Sequence, residues 1–62
     1  MRNPTEVEAE KIVYAELGLT YGVVKLGRYW VIGRTDNDKG WSPLVQAGSF
    51  AKALRDAKAV IR

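Results

Sequence analysis

From residue 21 onward the apolar positions fall in short extended runs separated by turn residues, and helical spacing takes over only after Ser49. Tyr21 to Leu26 alternates Tyr21, Val23 and Lys25 with Gly22, Val24 and Leu26, a pattern that predicts a strand. Gly27-Arg28 forms a two-residue hairpin connection, with glycine at the position a type II′ turn requires. Residues 28–34 hold aromatic, β-branched and glycine residues between two arginines and predict the next strand. Thr35-Asp36-Asn37-Asp38-Lys39-Gly40 is rich in residues that form backbone turns, and 41–46 is a further extended run. Pro43 removes a ladder donor, which assigns that strand to a sheet edge or to a bulge. Ser49 is the predicted N-cap of a helix over 50–61, with Phe50, Ala53, Leu54, Ala57, Val60 and Ile61 on one stripe.

Residues 5–17 carry two patterns. Pro4 followed by Thr5-Glu6-Val7-Glu8 matches a capping box and a helix start. Against it, Val7, Ala9, Val13, Ala15 and Leu17 alternate with glutamates, Ile12 and Tyr14, which predicts a strand with a helical first turn as the alternative. As a strand the segment joins the sheet at an edge. The expected fold is α+β, one domain over 1–62: a flexible start at 1–4, an antiparallel sheet of three to four strands with a meander over 21–46, and one C-terminal helix packed on one face.

With 62 residues the core is small, and Tyr14, Tyr21, Tyr29, Trp30, Trp41 and Phe50 are the residues available to enrich it. No cysteine is present, so disulfides and thiol nucleophiles are excluded, and a reducing, cytoplasmic setting is expected. Histidine is absent as well, which removes imidazole bases and the usual zinc sites. Asp36-Asn37-Asp38-Lys39-Gly40 opens like a calcium loop, but the twelfth position, where a bidentate carboxylate belongs, is Ala47. The glycines stand at strand and turn positions and form no phosphate loop. No cofactor, metal, enzymatic activity or membrane association is expected.

The net charge of +3 is unevenly spread. Residues 1–20 set two basic residues against four glutamates, a balance of −2, and residues 21–62 set eight basic residues against three aspartates, a balance of +5. A basic body suits nucleic acid or an acidic protein surface.

The run Tyr21-Gly22-Val23, then Gly27-Arg28-Tyr29-Trp30-Val31-Ile32-Gly33-Arg34, then Gly48-Ser49-Phe50 with alanines at 53, 57 and 59, resembles the DNA-binding domain of plant ethylene-response factors. It is similar also to the arm-binding domain of phage integrases. That resemblance covers about residues 21–61 and implies three strands followed by a helix, with the sheet entering a DNA major groove. By it, Arg28 and Arg34 match basic contact positions and Trp30 shares their face, whereas Val24, Leu26 and Ile32 stand where the family places charged contact residues.

Both sheet faces are apolar, so the face left by the helix is expected to be offered to a partner. The first expectation of function is a small non-enzymatic binding protein in the style of phage and mobile-element accessory proteins. It would modulate or inhibit a host protein through Arg28, Trp30, Ile32, Arg34 and Trp41 on the open face, with a homodimer as a further way of closing that face. The alternative is DNA binding through Arg28 and Arg34, or through the helix edge carrying Lys52, Arg55 and Lys58.

Overall fold

The structure is a computed structural model that describes residues 4–36 and 40–61. Helix α1 (Glu6–Glu16) is followed by strands β1 (Tyr21–Leu26), β2 (Tyr29–Asp36) and β3 (Gly40–Ala47), and then by helix α2 (Phe50–Val60). The strands form one antiparallel sheet in the order β1-β2-β3. The architecture is α+β, with two helices where the sequence pattern predicts one. Residues 37–39, the centre of the polar turn and of the calcium-like run, lie outside the described residues, as does residue 1–3 of the expected flexible start.

Residues 6–16 are helical, not a strand at the sheet edge. The capping box prevails: Glu8 N–H donates to Thr5 Oγ1 at 3.2 Å, and Thr5 N–H donates to Glu8 Oε1 at 3.0 Å. Ala9 and Val13 are fully buried and Leu17 packs against the same core. Those three positions are four apart, so they line one side of a helix while also fitting an alternating pattern. Glutamate, lysine and alanine favour the helix between them. Farther along α1, the Tyr14 hydroxyl donates to Glu10 Oε1 at 2.8 Å.

Strands β1 and β2 are joined by the two residues Gly27 and Arg28, with Leu26 paired to Tyr29 across the turn. Gly27 has φ of 61° and no non-glycine residue has a positive φ among those described, the signature of a type II′ first position. Pro43 lies in edge strand β3, and the ladder slips between Ile32 and Gly33, so β3 is an edge and is bulged as well. Ser49 caps α2, its Oγ accepting from Lys52 N–H at 3.3 Å.

Register then decides the faces. Val23 pairs with Ile32, Lys25 with Trp30, Trp30 with Ala47 and Ile32 with Val45, which puts these residues on one side of the sheet. Both helices pack on that side, α1 against β1 and α2 against β2 and β3. Ala9, Val13, Val23, Trp30, Ile32, Ala47, Phe50, Ala53 and Ala57 make one core there, with Leu54 and Ile61 packed at its margin.

Candidate functional site

Trp30 and Ile32, expected on the open face, are core residues, 1% and 0% exposed. The Trp30 ring meets Phe50 of α2, and Lys25 Nζ sits 5.5 Å from the Trp30 ring centroid at the core's rim. The reason for the correction is where α2 docks: it packs on this side of the sheet, against β2 and β3, and α1, a helix and not an edge strand, adds to the same side against β1. Arg34 alternates with Trp30 and Ile32 toward the helix side and is exposed, opposite Tyr21 and Ser42. Arg28 is exposed in the β1–β2 turn. Of the five residues predicted as one contact set, only Trp41 belongs to the face without helices.

That face is built from Gly22, Val24 and Leu26 of β1, from Tyr29, Val31, Gly33 and Thr35 of β2, and from Trp41, Pro43 and Gln46 of β3. Val24 pairs with Val31, so it lies on this side, whereas Trp30 and Ile32 lie on the other. Val31, on the central strand, is 4% exposed and stands apart from the helix-side core. Leu26, Tyr29 and Trp41 are exposed by 60%, 50% and 36%. No position in this set carries a formal charge.

At the centre of the face Gly22 pairs with Gly33, and the Trp41 indole lies over the pair. A Cβ on Gly33 would come within 2.7 Å of Trp41 Cε2 and Cζ2 and within 2.4 Å of the Ser42 carbonyl oxygen. A Cβ on Gly22 would meet Trp41 Nε1 at 3.6 Å, an ordinary contact. Gly33 is therefore glycine because backbone and ring approach it closely at the bulge, without any need for positive φ. Sequence reasoning passed over Gly22, Tyr29 and Gly33 as site residues. The signal was present: a two-residue turn at Gly27-Arg28 fixes Leu26 opposite Tyr29, and the remaining pairs follow by counting.

The residues named for the DNA alternative lie elsewhere. Lys52, Arg55 and Lys58 are exposed along α2, on the helix side of the molecule, and Lys58 Nζ pairs with Glu16 Oε1 at the end of α1. Among the described residues no cluster of acidic side chains could hold a metal ion. No helix among the described residues is long and apolar enough to cross a membrane. Comparison with protein-family models, with curated proteins and with solved structures finds no match.

Proposed function

We propose that this chain is a non-enzymatic binding protein that docks on a partner protein through the helix-free face of its sheet. The observation that carries the proposal is the makeup of that face: Leu26, Tyr29 and Trp41 are exposed together on a surface without formal charge. Contiguous exposed apolar surface of this kind marks interaction sites, and tyrosine and tryptophan dominate their energetics. Phosphate backbones are met by lysine and arginine, which this face lacks. Tyr29→Ser and Leu26→Ser lie at exposed positions and should leave the fold intact. The test is capture from a bacterial lysate treated with nuclease, comparing the parent with these two variants. Partners retained by the parent and lost by both variants are the expected result; an identical captured set for all three would refute the reading.

A second reading is DNA binding through Lys52 and Arg55, with Arg28 and Arg34 at the sheet margins, and it rests on the exposure of all four cations. It expects duplex affinity to fall with salt at a slope of about −0.9 per phosphate neutralised, and Arg55→Ala to flatten that slope.

A further inference from the structure

We infer that the free edge of β1 is a docking site of its own, and that it takes an extended segment of a partner protein as a fourth strand. That segment alternates apolar and polar residues. The site borders the helix-free face at Leu26 and does not depend on the reading of that face.

Unlike the apolar face, this edge specifies its occupant through unpaired main-chain groups. Thr35 N–H donates to the Thr20 carbonyl at 2.7 Å, one step beyond the Tyr21–Arg34 pair. Hydrogen-bonded positions alternate along an antiparallel pair. Gly22, Val24 and Leu26 therefore bond toward β2, while Tyr21, Val23 and Lys25 turn their main chain outward. Tyr21 N–H donates to the Gly18 carbonyl at 3.2 Å. The Tyr21 carbonyl and the N–H and carbonyl of Val23 and of Lys25 have no hydrogen-bond partner among the described residues. Donors and acceptors in a row at strand spacing are the complement of another strand's main chain.

The two edges of the sheet differ in this respect. Pro43, which has no N–H, and the bulge opposite Ile32 and Gly33 both blunt β3. Strand β1 runs six residues with neither device.

The helix layer decides against a second copy. A two-fold axis would pair β1 with its own copy antiparallel, with both α1 helices on one face. Each α1 packs on its β1, and the two strands would be about 4.8 Å apart, whereas packed helices need about 8–10 Å between axes. A segment without a helix meets no such conflict.

Its side chains divide between two surroundings. On the helix-free side they lie beside Gly22, Val24 and Leu26, which have no polar side chain. On the helix side they lie beside Tyr21 and Lys25, next to the flank of α1 that carries Glu10 and Tyr14. That flank is turned away from α2, because Glu16, which pairs with Lys58, stands about 160° around the helix from Tyr14. Apolar residues at every second position, with polar ones between, match the two sides.

The experiment is an array of eight-residue peptides in which valine and threonine alternate. Beside them stand block-arranged peptides of the same composition and fully N-methylated counterparts. The array is probed with the full chain, with Lys25→Pro, with Lys25→Thr and with Tyr29→Ser, and circular dichroism establishes that each variant is folded. Proline at position 25 removes a donor that only an added strand would use. The expected result is retention of the alternating peptides alone, lowered about tenfold or more in Lys25→Pro and by N-methylation. Lys25→Thr and Tyr29→Ser should change it by about twofold at most. Should Lys25→Pro not fold, the N-methylated peptides carry the test. Retention of no alternating peptide, or retention that survives both Lys25→Pro and N-methylation, overturns the inference. Loss in Tyr29→Ser with none in Lys25→Pro would seat the peptide on the helix-free face and overturn it as well. A dimer in sedimentation that Lys25→Pro abolishes would make the occupant a second copy, with the same consequence.

Discussion

Trp30 of β2 and Phe50 at the start of α2 meet edge to face, with ring centroids 5.4 Å apart and planes at 63°. This contact joins the sheet to the C-terminal helix at the first residue after its cap. Trp30 Nε1 is buried without a hydrogen-bond partner among the described residues, so packing holds the indole in place. Trp30→Ala should cost about 3–5 kcal/mol, enough to unfold a domain of this size. Thermal and urea melting check this, and a melting temperature within two or so degrees of the parent's would contradict the placement of Trp30 in the core. Trp30→Phe removes no hydrogen bond and should be much milder.

The same residue shows which parts of the fold the sequence made legible. The meander, the Gly27-Arg28 turn, the edge character of the Pro43 strand and the Ser49-capped helix each carry local chemistry that has one reading. The side of the sheet that Trp30 faces does not. Val24 and Val31 on one side are as apolar as Val23 and Ile32 on the other, so composition alone cannot choose. The choice lies in where α2 docks, with Phe50 on Trp30, and residues 5–17, whose Ala9, Val13 and Leu17 fit a period of two and a period of four alike, add a second helix on the same side. Once that segment is a helix, both helices share one face and Trp41, not Trp30, is left outside.

Gly33 gives a second prediction. In Gly33→Ala the new methyl would press on the Ser42 carbonyl oxygen and on the Trp41 ring at once. Overpacking of this sort costs about 1–3 kcal/mol, and here it also lifts the indole from its seat. Gly22→Ala, with only the 3.6 Å contact, should stay within about 0.5 kcal/mol of the parent. Urea unfolding of the two variants, followed by tryptophan fluorescence, separates them. Equal stabilities would mean that Trp41 does not rest on Gly33.

Glu8 makes the start of α1 sensitive to acid. Its hydrogen bonds from the Thr5 backbone and side chain, with a smaller contribution from Lys11, hold its carboxyl below the ordinary value of 4.5. A carboxylate whose pKa is lower in the folded state contributes its stabilisation in full above the unfolded value, and that contribution is lost as pH falls through the folded value. Helicity of α1 should therefore decline below about pH 4.5 in the parent and lose this step in Glu8→Gln. Amide chemical shifts of residues 5–9 against pH provide the measurement; identical acid titrations for the two proteins would exclude the capping box as the cause.

The Glu16–Lys58 pair links the ends of the two helices on the surface, with side chains 44% and 48% exposed. Exposed pairs contribute about 0.2–1 kcal/mol and are screened by salt. Lys58→Ala should lower stability by no more than that, with the difference shrinking in high salt. A loss that salt does not diminish would point to packing by the lysine stem in place of charge.

The two helices are unequally anchored. Helix α2 sets Phe50, Ala53 and Ala57 against two strands, while α1 rests mainly on β1 and buries only Ala9 and Val13 among its own residues. The amino-terminal helix should therefore be the cooperative unit with the lowest opening energy, lifting from the sheet while the carboxy-terminal half stays folded. Each such opening wets the Val23 side of β1. In native-state hydrogen exchange, amides of α1 should form the fastest-exchanging isotherm, ahead of those in β2, which exchange only when the whole molecule opens.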